Sequence, residues 1–405
     1  MALFLAFPAF FGCRDANERF VQPFRNEAGR GRLWAAMLCY VDDRSLPGIT
    51  RKRRGRYWMY FHPDGSRVTD RDEIDRLNAI GMPPAYVRCW FCPKPNGHIQ
   101  ATGYDARGRK QYRYHPDFRA RQESLKYERL AAFGEALPKL RKRIEDDIKG
   151  KPTAFETVLA GVLRLIDETN MRVGNEEYAK ENKSFGATTL RNRHAKVTRG
   201  GLKITYTGKH GIRRTVTVAD RHLARIARRT QDLPGQHLFE YVGEDGEVRA
   251  VGSADVNAYL KETMGEEFTA KDFRTWGASV IAFEAMLDRV DEKGKVNLKS
   301  MIEPVAEALG NTPAISRKSY VHPALIEAAK DAGVIGDRKL PRASRYLSAA
   351  ERGLAAFLDS LPEETARVDV KAKDRAKATG KSKPQAEAEM AAEAARQVPG
   401  GTKAA

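Results

Sequence analysis

Cysteine is scarce here, four residues in a chain of 405, which excludes a disulfide framework and points to a reducing compartment. Long hydrophobic runs are missing too. No stretch reaches the roughly 20 apolar residues of a membrane span, so a soluble, cytoplasmic protein is expected. The apolar opening through Cys13 is broken by Pro8 and lacks the basic start of a secretory signal. Residues 1–36 are read as an extension. Paired metal-ligand spacings are absent as well: Cys89-Trp-Phe-Cys92 has no second pair to complete a zinc site. Its aromatic, apolar surroundings suit a buried strand better. No internal repeat is visible.

Acidic residues are the other shortage. Lys and Arg number 71 against 53 Asp and Glu, a net charge of +18. A polyanionic partner is expected, although charge alone does not distinguish DNA, RNA or an anionic membrane surface.

Periodicity divides the chain beyond the extension into an α+β arrangement. Residues 37–119 read as a small β-rich domain, with strand formers in Arg56–Phe61 and Tyr86–Cys92, turns at Pro63-Asp-Gly65 and Pro95-Asn-Gly97, and one helix near Thr69–Ile80 capped by Asp70 or Asp72. Residues 120–362 carry helical stripes, Leu159, Val162, Leu163 and Ile166 in one and Val280, Ala282, Phe283, Met286 and Leu287 in another. Between them Leu202–Thr207 and Ile212–Val218 predict a hairpin with Lys209 at its tip. Residues 363–405 form a basic tail, expected to be disordered, with a helix-prone stretch from Gln385 to Arg396.

Four segments of the second region carry chemistry. Met171-Arg-Val-Gly174, Thr207-Gly-Lys-His210 and Lys271-Asp-Phe-Arg-Thr-Trp-Gly277 each present a basic residue in a turn-rich setting, and Gly310–Tyr320 ends in a tyrosine. Cleaving a phosphodiester requires neutralising its non-bridging oxygens as the five-coordinate transition state forms. Two arginines do this with permanent charge and planar forks of donors. Metals become dispensable. A phenol, with an ordinary pKa of roughly 10, attacks when deprotonated and later leaves well, so the cut is reversible. The expelled sugar oxygen needs a proton, and a lysine beside other cations is suited to give it. Taken singly, each residue has a plainer reading: Arg172 as a helix-end cation, Lys209 as a solvated turn residue, Tyr320 as a half-buried helix residue.

In residue types, order and spacing, these segments resemble the type IB DNA topoisomerases, specifically the small poxvirus and bacterial branch. The resemblance spans residues 37–360. It implies that Arg172 and Arg274 clamp the phosphate, Lys209 is the general acid and Tyr320 forms a 3′-phosphotyrosyl bond. At the family's fifth position, nine residues before the tyrosine and often histidine, stands Asn311. An amide still donates a hydrogen bond, but it offers no charge and no acid. The run Arg107–Tyr114 is similar to a groove-contacting segment, implying DNA contacts from Gln111, Tyr112 and Tyr114. Tyr178 and Lys271 match further contacts, and Arg51–Arg56 reads as a nonspecific phosphate patch.

The implied protein is a monomeric, nucleoid-associated two-domain clamp on double-stranded DNA, relaxing supercoils by strand cleavage, rotation and religation, with no cofactor and no membrane association. A tyrosine recombinase shares the nucleophile and arginines, but it pairs the second arginine with a histidine three residues earlier, where this chain has Lys271. A noncatalytic DNA-binding protein on the same scaffold is the other alternative.

Overall fold

The computed structural model describes residues 38–265, 268–288, 296–330 and 340–361. The expected extension and basic tail lie outside them. The fold is α+β, and its two compact units divide between Glu123 and Ser124.

The first unit is built on an antiparallel sheet of order β2-β1-β3-β4-β5. Its strands are β1 (Ile49–Arg54), β2 (Tyr57–Phe61), β3 (Val87–Phe91), β4 (Ile99–Tyr104) and β5 (Lys110–Tyr114). Helix α1 (Arg71–Ala79) starts where Asp70, not Asp72, accepts a backbone N–H at its first turn, as an N-cap carboxylate should. Leu77 and Ile74 of α1 pack with Ile49, Tyr60 and Phe91. The two cysteines of the Cys89–Cys92 pair enter different apolar clusters. Burial pushes both thiols up, as expected for packing residues.

The basic run over residues 51–56 is not uniform. Arg51 donates to the Met82 and Pro83 carbonyls and stacks 4.0 Å above the Trp58 ring, so it braces the unit from inside. Lys52, Arg53, Arg54 and Arg56 stay exposed.

From α2 (Pro116–Glu128) the chain becomes helical: α3 (Leu130–Asp147), α4 (Phe155–Thr169) and the short α5 (Glu176–Asn182). A three-stranded antiparallel sheet follows, β6 (Ala195–Val197), β7 (Leu202–Thr207) and β8 (Arg213–Val218), in that order. After α6 (Arg221–Gln231) come β9 (Glu240–Val242) and β10 (Val248–Ala250), then α7 (Ser253–Met264), α8 (Ala270–Asp288), α9 (Leu298–Leu309), α10 (Pro313–Ser319), α11 (Pro323–Ala328) and α12 (Ala349–Asp359).

Helix α4 is the centre of the second unit. Val158, Leu159, Val162, Leu163, Leu165 and Ile166 are all buried there, against α3, α6, α7 and α8. At about 1.5–3 kcal/mol per buried aliphatic side chain, that one helix contributes far more than any hydrogen bond of the site, worth roughly 1 kcal/mol each. The core therefore fixes the frame on which the polar residues are carried. Arg141, half-buried between Asp167 and Glu351 at 2.8 and 2.7 Å, ties α3, α4 and α12 together. The indole of Trp276 on α8 donates to Glu351 at 3.1 Å.

Candidate active site

Helix α4 ends at Asn170, whose left-handed backbone (φ 52°) turns the chain sharply. The next residues are pinned: the Arg172 and Val173 carbonyls accept from Ala187 and Thr188 at 2.8 and 2.7 Å. Arg172 is left half-buried, with its guanidinium donating to Asn311 Oδ1 at 2.9 Å.

Arg274 differs from the turn-rich setting expected of it. It lies in the second turn of the 19-residue helix α8, only 4% exposed, because Asp272 accepts from the Thr269 amide and hydroxyl and starts the helix just upstream. Its guanidinium donates to the Asn170 and Leu309 carbonyls, the latter at 3.0 Å. The same group stands 5.1 Å from the centre of the Tyr320 ring. Gly277, one turn further on, has no room for a side chain, since a Cβ would run into the Asn170 amide.

Asn311 is placed by the end of α9. Gly310 adopts the left-handed conformation (φ 60°), and its amide and that of Asn311 return to the Ala306 carbonyl, the usual glycine C-cap geometry. Asn311 Nδ2 and Arg274 Nε are both buried without a hydrogen-bond partner among the described residues. An orphaned buried donor costs about 1–3 kcal/mol. Two of them in one cluster make a site that an anionic oxygen would satisfy.

Tyr320 closes α10, a helix begun by Thr312 and Pro313. Its amide reaches the Ser316 carbonyl at 3.1 Å, while its own backbone (φ −134°, ψ −40°) has left the helix. The ring is half-buried. Burial pushes its phenol up, but the Arg274 and Arg172 charges outweigh that and hold it below the ordinary tyrosine value. Burial and the Arg172 charge in turn press Arg274 below the usual arginine range. The arrangement makes the phenol easier to deprotonate and welcomes negative charge.

Four of the five residues expected to carry the chemistry are thus brought together. Lys209 is not among them. It sits exposed in a tight turn (Lys209–Gly211) between β7 and β8, where Gly208 N–H bonds the Ile212 carbonyl at 2.8 Å and His210 takes a positive φ of 66°. No hydrogen bond among the described residues joins it to the other four.

The expected DNA contacts are spread over both units. On β5, Tyr112 and Tyr114 are 42% and 40% exposed with rings nearly parallel, their centres 6.0 Å apart. Gln111 is half-buried and donates to Asp105 at 3.2 Å. In the second unit, Tyr178 on α5 and Lys271 on the first turn of α8 are both exposed.

Sequence reasoning missed Arg214. On β8 it faces Tyr206 of β7 in register and donates to the Ala308 carbonyl at 2.6 Å. Strand parity carried the signal, since Arg214 shares its face with Val216 and Val218, making it a cation on the inward side. Lys126 was also missed; its ammonium meets the Ser319 carbonyl at 2.5 Å and lies 5.9 Å from the Tyr320 ring centre. Nothing in its local sequence marks it.

Residues 115–340 match the family described as eukaryotic DNA topoisomerase I, catalytic core, and residues 57–105 that described as bacterial DNA topoisomerase IB, N-terminal domain. The chain is 34% identical over 295 residues to the DNA topoisomerase 1B of Acanthamoeba polyphaga mimivirus, covering 70% of this chain and 88% of that one. This chain belongs to the type IB DNA topoisomerases. As a member of that family it is an isomerase acting on DNA topology. The vaccinia virus (strain Copenhagen) DNA topoisomerase 1B is 23% identical over 239 residues, 57% of this topoisomerase and 72% of its own length. A solved structure of the XerH site-specific recombinase bound to its difH substrate covers 48% of this chain and 52% of that one at 20% identity and a TM-score of 0.31, too distant to argue from. No helix among the described residues of the topoisomerase is long and apolar enough to cross a membrane.

Proposed function

We propose that this topoisomerase relaxes supercoiled duplex DNA by cutting one strand with Tyr320, letting the free end rotate and resealing the break, with no ATP and no metal. The single observation that carries the reading is the Tyr320 ring beneath the Arg274 guanidinium, with the Arg172–Asn311 pair completing the cluster.

In the cleavage step Tyr320, having given its phenolic proton to solvent, attacks as the phenolate and its oxygen bonds to phosphorus as the phosphorus–5′-oxygen bond breaks. Arg172, Arg274 and Asn311 Nδ2 stabilise the charge that gathers on the non-bridging oxygens. Lys209 gives its proton to the departing 5′-oxygen. A 3′-phosphotyrosyl ester exchanges for a phosphodiester, so the 5′-hydroxyl reverses the step by returning its proton to Lys209 and expelling the phenolate. Rotation between the two steps releases supercoil strain, which supplies the driving force. Lys209 sits on a hairpin tip exposed to solvent, and on this reading duplex DNA completes its placement.

The enzyme acts as a monomer on double-stranded DNA. Tyr112, Tyr114 and Gln111 of the first unit, and Tyr178 and Lys271 of the second, contact backbone or base edges. The test is relaxation of positively and negatively supercoiled plasmid in chelator without nucleotide. Both signs should relax at substoichiometric enzyme, and Tyr320→Phe should bind the plasmid without changing its linking number. Relaxation by Tyr320→Phe would remove the nucleophile assignment.

A further inference from the structure

A helix leaves its last four carbonyls without partners inside the helix, and at the end of α9 these four can be traced. The Ala306 carbonyl accepts from the Gly310 and Asn311 amides, and Glu307 also accepts from Gly310. Leu309 accepts from Arg274 at 3.0 Å. Ala308 accepts from Arg214 at 2.6 Å, and Arg214 reaches Glu307 more weakly at 3.4 Å. The negative end of a helix dipole is where a guanidinium is favoured. Two arginines from separate elements therefore share one helix end, immediately before Asn311.

Their origins matter. Arg274 comes from α8, but Arg214 comes from the hairpin that carries Lys209, five residues back along the chain. Gly310 is the complementary half of this contact: it needs a positive φ, and a Cβ on it would strike the Arg214 guanidinium. The hairpin's own turn is closed by Gly208 and Ile212 and its stem is paired through Tyr206 and Arg214. Whatever fixes Arg214 thus fixes the stem from which Lys209 projects. A second tie, from the Phe185 amide to the Thr207 carbonyl at 2.8 Å, holds the opposite strand.

We propose that Arg214 is a positioning residue that latches the Lys209 hairpin onto the C-terminal end of α9, setting the proton donor against the phosphate clamp. This rests on Lys209 being the general acid, as proposed above. The latch acts on leaving-group protonation and not on attack by Tyr320, which distinguishes it from a residue that merely supports the fold. Its loss should be felt only where the departing oxygen needs a proton.

Single-turnover cleavage by wild type, Arg214→Met, Arg214→Lys and Lys209→Ala should be compared on a nicked suicide duplex and on the same duplex with sulfur at the 5′-bridging position, because a thiolate leaves unprotonated. Arg214→Met should cut the oxygen substrate about tenfold more slowly or worse, and the sulfur substrate within about threefold of wild type, as misplacement of one catalytic group would produce. Arg214→Lys, which keeps the charge but loses the planar fork of donors, should fall between. Equal losses on both substrates, or no loss on oxygen, would overturn the latch. If Lys209→Ala is not restored by sulfur, the acid assignment fails; if it is restored and Arg214→Met is not, the latch alone fails. Arg214 is half-exposed, so its variants should stay folded, and thermal melting of each confirms that the rates describe intact enzyme; should Arg214→Met unfold, the oxygen-to-sulfur ratio of Arg214→Lys decides.

Discussion

The Arg172 guanidinium donates to the Asn311 side-chain oxygen at 2.9 Å, joining positions 139 residues apart. The bond fixes which end of the amide faces inward. With Oδ1 engaged, Nδ2 is the free donor, buried and unpartnered among the described residues. Asn311 is thus a neutral donor oriented by a cation.

Asn311→Ala should therefore slow single-turnover cleavage by about 10²-fold, the usual effect of removing one transition-state donor, with little change in DNA affinity. Asn311→Asp should be slower still, because a carboxylate would neutralise Arg172 and repel the phosphate. Cleavage by Asn311→Ala at the wild-type rate would exclude the amide from the chemistry.

The pH dependence of cleavage should reflect Tyr320. Its phenol is raised by burial but lowered further by Arg274 and Arg172. The cleavage rate on the 5′-sulfur substrate, which removes the need for an acid, should rise with pH and level off below the roughly pH 10 of a free tyrosine. In Arg274→Gln the inflection should move upward. An unchanged inflection would show that the guanidinium does not tune the nucleophile.

His322, two residues past Tyr320, gives an acid-stability signature. Its imidazole is 2% exposed, accepts the Ala324 amide on Nδ1 and faces the Tyr127 ring. Burial, helped by Lys126, lowers it from 6.5 to about 4. The unfolded chain takes up this proton first as pH falls, so stability is intact above pH 6.5, is lost progressively down to about pH 4 and is flat below. About 3 kcal/mol is at stake, at 1.36 kcal/mol per unit. His322→Asn, which retains a helix-capping acceptor, should flatten denaturant-measured stability across that window even if it lowers it at neutral pH.

The Arg141 cluster predicts a cost away from the chemistry. Removing the buried Glu351 leaves the half-buried Arg141 guanidinium with one carboxylate and the Trp276 N–H without its acceptor. Glu351→Ala should destabilise the enzyme by about 3 kcal/mol, the low end for breaking a buried pair, as read from urea unfolding. A loss under about 1 kcal/mol would mean that water replaces the carboxylate there.

Much of the molecule was legible in order along the chain. The 3.6-residue stripes of α4 and α8, the alternation in β7 and β8 and the turn at Lys209 were readable because they depend on neighbours within a few residues. Where long-range contacts decide, the sequence was silent or misleading. Arg51 looked like one more surface cation until Trp58 and the Met82 and Pro83 carbonyls enclosed it. Arg274 looked like a turn residue, and the Asp272 contact to Thr269 put it inside a helix instead.

The sequence by itself determined the kinds of residue available and their order: a phenol, two arginines, a lysine and an amide, on a basic chain of α+β pattern. Side-chain chemistry and local periodicity need nothing more. Only the tertiary structure decided that Arg172, Arg274, Asn311 and Tyr320 converge, that Lys209 stands apart on its hairpin and that Arg214 joins that hairpin to α9. Those relations arise from burying helices around α4, a cooperative outcome of contacts between residues far apart in the chain, which no single segment encodes.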